Sequence, residues 1–304
     1  MLNPEREHSL PGAVIQSAVE IAEIAGVLPA VPTVDWCDRA AACIARLGRS
    51  ALALVLIGSI DDSGRIIAVE SVGVAPGPSG PERARGVARP HPRLAQDAAD
   101  EGFIEAVRAR AAKLSTIGWV PDWPTWPGAA MMGSPTMGPI LAGRNWRTGP
   151  IGRIWGEPCP HDLLIGLSPL GDFEAGRIIM VQVAPAGIAT LDPEAAAILR
   201  AVLPVLVRRA LLAIGPRCSH PAQWLTTREQ AVLDRLALGK SVKQIAEETG
   251  RSPHTVHDHV KSLHRKLNAT SRGELIARAL GHLGSPAQVH APRPPLTRPW
   301  VMPA

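Results

Sequence analysis

The chain has 304 residues, of which 46% are hydrophobic, and a formal net charge of +5. This hydrophobic content excludes a largely disordered chain, and the length suggests two domains. No apolar run reaches the roughly 18 residues of a membrane span, and the charged N-terminus lacks the apolar core of a signal peptide. We therefore expect a cytoplasmic protein that makes no membrane contact.

The N-terminal part of the chain predicts two helices followed by a β-hairpin. Residues 12–26 and 34–47 carry apolar side chains at helical spacing. Residues 51–60 and 65–75 are rich in β-formers and flank a turn at 61–64, which predicts two antiparallel strands. Four cysteines have no paired spacing, so we expect free thiols at Cys37, Cys43, Cys159 and Cys218.

The middle of the chain has an unusual composition. Residues 75–93 are rich in Pro, Gly and Arg and are predicted to form a mobile loop, followed by a helix over 94–114. Residues 117–160 read as irregular and contain five tryptophans: Trp119, Trp123, Trp126, Trp146 and Trp155. These side chains either line a pocket for an apolar or planar ligand or pack an irregular cap over the sheet, and we favour packing.

A second hairpin and a long helix complete this region. Residues 162–170 and 177–185 predict two more strands, and residues 193–214 predict a helix. The element order indicates an α+β domain over residues 1–220, an antiparallel sheet with flanking helices. By element order alone it is similar to GAF-like sensor domains, which share the PAS-type layout. Its last helix either carries dimer contacts or is simply the final core helix.

Catalytic, metal and phosphoacceptor motifs are weak in this region. Cys159 and His161 are half a zinc site at best, so we predict no metal and no cofactor. No nucleophile–base pair stands out, so we expect no enzymatic activity. A phosphoacceptor receiver domain is disfavoured because Asp61 and Asp62 lie in a hairpin turn and Lys113 is the one lysine before residue 221.

Residues 225–280 predict four short helices, and each is preceded by an N-capping motif. Three S/T-x-x-E/Q capping boxes and a Ser-Pro start precede them. The boxes pair Thr226 with Glu229, Ser241 with Gln244 and Ser271 with Glu274, and the Ser-Pro start is Ser252-Pro253. The expected helices span 227–238, 242–249, 253–267 and 272–280. A short turn at Gly250 makes the second and third a helix-turn-helix.

The helix expected at 253–267 has two chemically distinct faces. Its apolar side chains follow i, i+4, i+7, i+11 spacing: Val256, Val260, Leu263 and Leu267. The opposite face carries His254, His257, Asp258, Lys261 and Arg265. Hydrogen-bonding and cationic groups on one helix face are what reading of DNA base edges requires, so we predict a recognition helix.

Charge supports the same interpretation. Residues 221–280 hold ten basic and six acidic residues, a balance of +4, whereas residues 1–220 hold 20 basic and 21 acidic residues. The basic character of the chain therefore comes from its last quarter, as expected for a nucleic-acid interface. The expected phosphate contacts lie at helix N-termini or on the basic rim: Thr227, Lys243, Gln244, His254, Thr255 and Lys266.

The C-terminal segment resembles the DNA-binding domain of LuxR/GerE-type bacterial transcription regulators. The matching residues are Leu225-Thr226-x-Arg228-Glu229, Val232-Leu233, Gly239-x-Ser241, Ile245-Ala246, Ser252-x-x-Thr255-Val256, His259, Lys266-Leu267 and Ser271. The resemblance implies that His257, Asp258 and Lys261 meet DNA bases, although lysine is commoner in the family at the first of these positions. Asp258 either accepts from a cytosine amino group or pairs with Lys261.

The resemblance predicts a transcription regulator with a dimeric helix-turn-helix domain over residues 221–283. Dimer contacts are expected from Leu275, Ile276 and Ala279, and residues 284–304 should form a disordered Pro-rich tail. The expected partners are double-stranded DNA and a second copy, while RNA polymerase and a small-molecule ligand stay open. Residues 1–220 are read as a sensor or dimerisation domain; the alternatives are a protein-interaction module without a ligand and an enzyme domain. The family's acyl-homoserine-lactone sensor is disfavoured, since its pocket relies on Tyr and this chain has none.

Overall fold

The computed structural model describes an N-terminal and a C-terminal group of residues. They are 12–47, 50–61, 65–77, 97, 100–117, 140–141, 147, 149–157, 160, 163–170, 177–185, 193–214 and 224–282. Among the helices in these ranges, none is long and apolar enough to cross a membrane.

A β-sheet forms the centre of the N-terminal group. Its described strands are β1 (Ser50–Ile60), β2 (Ile66–Pro76), β3 (Ile140–Leu141), β4 (Leu164–Pro169) and β5 (Arg177–Pro185). They lie in the order β2-β1-β5-β4-β3, and all neighbouring pairs are antiparallel. Both predicted hairpins are confirmed, and β1 joins them by pairing with β5.

Helices flank this sheet close to the predicted positions. They are α1 (Gly12–Gly26), α2 (Trp36–Ile44), α3 (Glu101–Ala112), α4 (Pro150–Trp155) and α5 (Pro193–Ala213). Helix α3 begins at Glu101 because Asp100 caps it, its carboxylate accepting hydrogen bonds from the amides of Gly102 at 2.7 Å and Phe103 at 3.2 Å. The predicted start at residue 94 lies outside the described residues. Helix α4 lies within the stretch expected to be irregular.

The two faces of the sheet carry separate apolar layers. Side chains alternate along β1, so Ala53, Val55 and Ile57 pack with α1, α2 and α5 on one face. Leu52, Leu54 and Leu56 pack with α3 and α4 on the other. Strand β1 is therefore buried on both sides, and the sheet with its flanking helices confirms an α+β domain built on an antiparallel sheet. The GAF/PAS-like layout stays a prediction.

Several predictions concern residues outside the described ranges. These include residues 78–93 of the predicted loop, four of the tryptophans (Trp119, Trp123, Trp126 and Trp146), Cys159, His161, Cys218 and the tail 284–304. Trp155 is described: it is fully buried, and its Nε1 donates to Gln182 Oε1 at 2.8 Å. This tryptophan packs in the core between the sheet, α3 and α4, and the interpretation of the five tryptophans as a pocket or as a packed cap stays a prediction.

The two described cysteines are free and buried. Burial raises the pKa of Cys37 to about 12 and that of Cys43 to about 11. Both thiols are therefore protonated near neutral pH and are poor nucleophiles. The free-thiol prediction is confirmed at these two positions.

The C-terminal group forms four helices around its own core. They are α6 (Thr227–Ala237), α7 (Val242–Thr249), α8 (Pro253–Lys266) and α9 (Arg272–Ala279). Each agrees with its predicted span to within one residue at either end. Leu233, Ile245, Val256, Leu263 and Leu275 pack together between the helices. The predicted small all-α domain is confirmed.

Capping explains why these helices begin where they do. Thr226 and Ser241 form complete capping boxes with Glu229 and Gln244. At α9 the reciprocal half of the predicted box differs. Ser271 Oγ accepts from the Glu274 amide at 3.2 Å, but the Glu274 carboxylate accepts from the amide of Thr270 instead. All four helix starts are still fixed by local side chains.

Candidate nucleic-acid interface

Helix α8 presents one apolar and one polar face, as predicted. Val256 and Leu263 are fully buried, and Val260 packs against the same core. Its opposite side is exposed: His254, His257, Asp258, Lys261 and Arg265. Gly250, in the left-handed region at φ 64°, ends α7 and allows α8 to begin three residues later. The polar face of α8 is therefore available to a ligand.

The three predicted base-reading residues share this exposed face. Asp258 lies between two side chains of the same face: its carboxylate is 3.2 Å from His254 Nδ1 and 4.0 Å from Lys261 Nζ. The carboxylate side chain is 55% exposed and the lysine side chain 68%. Ion pairs this exposed contribute little in water, so a ligand can replace them at small cost. The expected pairing of Asp258 with Lys261 is present, and it does not exclude a base contact.

Five of the six predicted phosphate-contact residues lie on the surface. Thr227 begins α6, Lys243 and Gln244 are in the first turn of α7, and His254 and Thr255 are in the first turn of α8. All are exposed or half-buried. The first amides of a helix lack intrahelical acceptors and carry partial positive charge, which favours anions. Three helix N-termini therefore combine amide donors with polar or cationic side chains.

The capping box at α7 also orients an amide donor. Gln244 Oε1 accepts from the backbone amide of Ser241 at 2.8 Å and from its hydroxyl at 3.0 Å. Since both bonds use the oxygen, the Nε2 group of Gln244 is the end of the side chain left for another acceptor. Cap and candidate phosphate contact are thus compatible in one residue.

Lys266 is placed differently from the prediction. Its side chain is 14% exposed, and its Nζ donates to Glu229 Oε2 at 2.7 Å and to the backbone oxygen of Trp224 at 2.8 Å. The prediction of a phosphate contact here is not supported, because the ammonium already donates to two acceptors inside the domain. Lys266 instead ties the end of α8 to the start of α6.

The Glu229 carboxylate is the centre of this interior contact. Burial acts to raise its pKa, but hydrogen bonds from Lys266, Ser262 and Thr226 outweigh burial and hold the pKa at about 2. Ser262 Oγ donates to Glu229 Oε1 at 2.7 Å. The capping glutamate therefore holds α8 as well as α6. The sequence signal was present, since a capping-box carboxylate facing a core needs a cation.

The predicted dimer residues divide into buried and accessible ones. Leu275 is fully buried in the core of its own domain, so its side chain is not available to a second copy. Ile276 and Ala279 are half-buried. The neighbouring Leu280, which the sequence prediction omitted, is 53% exposed. A dimer contact at the C-terminal end of α9 would thus centre on Ile276 and on Leu280, the C-cap residue of that helix.

His259 and the metal prediction concern residues away from the exposed face. The ring Nε2 of His259 is buried, and the described residues offer it no hydrogen-bond partner. This favours packing between helices over contact with DNA. Within the described ranges, no group of three or more His, Cys, Asp or Glu side chains is arranged to hold a metal ion.

Comparisons with known proteins concern mainly this part of the chain. Residues 223–279 match the family model described as GerE, bacterial regulatory proteins, luxR family. The probable transcriptional regulatory protein NarL of Mycobacterium tuberculosis is 38% identical over 79 residues, 26% of this chain and 37% of NarL. The transcriptional regulatory protein UhpA of Escherichia coli K12 is 48% identical over 54 residues, 18% of this chain and 28% of UhpA. The chain thus spans about a third of the length of these relatives.

Solved structures resemble the chain only distantly. Escherichia coli SdiA aligns with 78% of this chain and 85% of its own at 12% identity and a TM-score of 0.31. A phage VqmA–DPO complex aligns with 82% and 93% at 18% identity and a TM-score of 0.21. TM-scores this low do not establish the fold of the N-terminal domain. Residues 223–279, by contrast, form a helix-turn-helix domain that belongs to the luxR family of bacterial regulatory proteins.

Proposed function

We propose that this protein is a sequence-specific DNA-binding transcription regulator that places α8 in the major groove. The observation that carries the proposal is the exposed face of α8, where His257, Asp258 and Lys261 stand opposite a buried apolar face. Donors and acceptors at these positions suit base edges, which differ from one base pair to the next in the major groove. The family match of residues 223–279 supports the same role.

Phosphate contacts from three helix N-termini would orient α8 on the duplex. Thr227, Lys243 and Gln244 serve the first two helices, and His254 and Thr255 serve α8 itself. Such contacts supply affinity and register, while base contacts supply sequence preference. Lys266 is not among these phosphate contacts, since its ammonium donates to Glu229.

The regulator acts as a dimer in this proposal, with one recognition helix for each half-site. Ile276 on α9 and Leu280 at its C-cap offer accessible apolar surface for the contact between two domains. Two half-sites on the same face of the duplex are separated by roughly 34 Å, one helical turn. The N-terminal domain modulates this binding in the cytoplasm, where the chromosome lies.

The experiment that tests the proposal is selection of bound sequences from random duplex DNA by the full chain. We expect recovery of a pseudo-palindromic site with a fixed spacing between two half-sites. Footprinting should protect the major groove of each half-site. Recovery of unrelated sequences, or of a site protected only in the minor groove, would overturn the proposal.

A further inference from the structure

The segment between α1 and α2 lies against the first residues of the helix-turn-helix domain. Thr33 and Leu225 form an isolated parallel β-bridge. The Leu225 amide donates to the backbone oxygen of Pro32 at 2.7 Å, and the Val34 amide donates to the backbone oxygen of Leu225 at 3.0 Å. Two backbone hydrogen bonds therefore join regions that are far apart in sequence.

Each domain also inserts a side chain into the core of the other. Val31, from the N-terminal segment, is 3% exposed and packs in the core of the helix-turn-helix domain. Trp224, at the start of that domain, is also 3% exposed and packs in the N-terminal core with α1 and α5. This reciprocal burial differs from two domains connected by a linker alone, for which relative motion is the default expectation.

The far end of the helix-turn-helix domain meets the same segment. A Cβ at Gly281, just after α9, would lie 3.1 Å from the Cβ of Ala30 and 3.5 Å from Leu212 of α5. Arg209 of α5 donates to the backbone oxygen of Leu28. The segment 28–34 is thus held between α5 and both ends of the C-terminal domain. We call the segment 28–34 together with Trp224, Leu225 and Gly281 the interdomain joint.

The joint connects directly to the helix that carries the candidate DNA-binding face. The backbone oxygen of Trp224 accepts from Lys266 at the end of α8, and Lys266 also pairs with Glu229. Glu229 in turn accepts from Ser262 of α8 at 2.7 Å. Any displacement of Trp224 from the N-terminal core would therefore act on α8 through an ammonium and a carboxylate that are both largely buried.

We propose that the interdomain joint holds the two domains as one rigid unit, so that the N-terminal domain sets the position of α8. In a dimer the joint would fix the distance between two recognition helices and hence the half-site spacing; this consequence rests on the proposed function, whereas the joint itself does not. A change in the N-terminal domain that opens the joint would release the helix-turn-helix domain.

The full chain offers a matched pair of variants for the test. Val31→Asp places a carboxylate in the closed joint, where burial of an unpaired charge is unfavourable, but in solvent when the joint opens. Val27→Asp makes the same change at a valine that is 80% exposed in the same connection. A second variant, Val34→Pro, removes the amide that donates to Leu225 without altering a buried side chain.

The measurement is the rotational correlation time of backbone amides in deuterated full-length protein, compared between β1 or β5 and α8. We expect equal times in the unmodified chain and in Val27→Asp. In Val31→Asp and Val34→Pro, the correlation time of the α8 amides should be roughly twofold or more shorter than that of the strand amides, because the released domain is much smaller than the chain. Unchanged amide shifts within each core would show that both domains stay folded.

Two results would overturn the proposal. One is a shorter correlation time for α8 than for the sheet in the unmodified chain. The other is the same correlation time for α8 and the sheet in folded Val31→Asp and in folded Val34→Pro. The DNA consequence is tested separately with selected duplexes whose half-site spacing is changed by single base pairs. Val31→Asp should bind the altered spacings as well as the original, whereas Val27→Asp should discriminate. Absence of DNA binding by every form, the unmodified chain included, would refute the proposed function and leave the relaxation result standing.

Discussion

The N-terminal sheet and helix α8 use their side chains in opposite ways. Strand β1 buries both of its faces, so each of its residues contributes to the stability of the domain and few remain for a ligand. Helix α8 buries only its apolar face and exposes a face of histidine, carboxylate, lysine and arginine side chains. We therefore expect substitutions in β1 to change folding, and substitutions on the exposed side of α8 to change DNA binding.

The largest expected effect is loss of a buried β1 side chain. Leu54→Ala should lower the free energy of unfolding by about 2–5 kcal/mol, because a cavity replaces a fully buried leucine. Ile67→Ala, at a side chain 55% exposed on β2, should change it by no more than about 0.5 kcal/mol. Urea unfolding followed by circular dichroism checks both, and equal losses for the two variants would show that β1 is not the core.

The next effect concerns the largely buried ion pair between Glu229 and Lys266. Glu229→Gln leaves the Lys266 ammonium without its carboxylate, and we expect a loss of about 3 kcal/mol in the free energy of unfolding. The pKa of Glu229 is lowered from its ordinary 4.5 to about 2, so the ionised carboxylate stabilises the folded state. That contribution is complete above pH 4.5 and is lost as the pH falls towards 2.

Unfolding at a series of pH values isolates this contribution. The difference between the unmodified chain and Glu229→Gln should be largest above pH 4.5 and should shrink as the pH approaches 2. Glu247→Gln, at an exposed residue of α7, serves as the control and should show no such trend. If the difference in the free energy of unfolding between the unmodified chain and Glu229→Gln did not vary with pH, the partners of Glu229 would not stabilise its ionised form in the folded state.

A smaller effect on affinity, with none on folding, is expected on α8. Lys261→Ala should weaken binding to the selected duplex by about 1–3 kcal/mol if the ammonium contacts a base. Lys113→Ala removes an exposed lysine outside the helix-turn-helix domain and should leave affinity unchanged. Titration of selected and random duplexes distinguishes the roles, since equal losses on both would make Lys261 a phosphate contact.

The smallest effect is expected at Asp258. Because its contacts with His254 and Lys261 are exposed, Asp258→Asn should change the free energy of unfolding by less than about 0.5 kcal/mol. Loss of a negative charge beside the duplex should tighten binding to random DNA, while preference at one base pair of the selected site declines. Binding to single-base variants of that site measures the preference, and an unaltered profile would remove Asp258 from the base-reading set.

Local features of both regions were predictable from the sequence, whereas partners distant along the chain were not. The caps at Thr226, Ser241 and Ser252 and the two hairpins depend on residues a few positions apart, so they follow from spacing. Helix α4 was missed because it is a single short turn-and-a-half among Pro and Gly residues. The pairing of β1 with β5 joins residues more than a hundred positions apart, which periodicity does not encode.

The candidate site shows the same division. Amphipathic spacing correctly placed Lys261 and His257 on the exposed side of α8. It could not show that Lys266 turns inward to Glu229, because that contact depends on how α8 crosses α6. Burial of Leu275 and insertion of Val31 into the C-terminal core depend on tertiary packing in the same way.

The central claim, that the exposed face of α8 reads DNA sequence, is tested most directly by one titration. The affinity of the full chain for its selected duplex and for a random duplex is measured from about 50 to about 200 mM salt. We predict that both affinities fall with salt, with a log–log slope of about −0.9 for each phosphate contact, and that the selected duplex binds tighter by at least about 10³-fold. Equal affinity for the two duplexes at every salt concentration would contradict the claim.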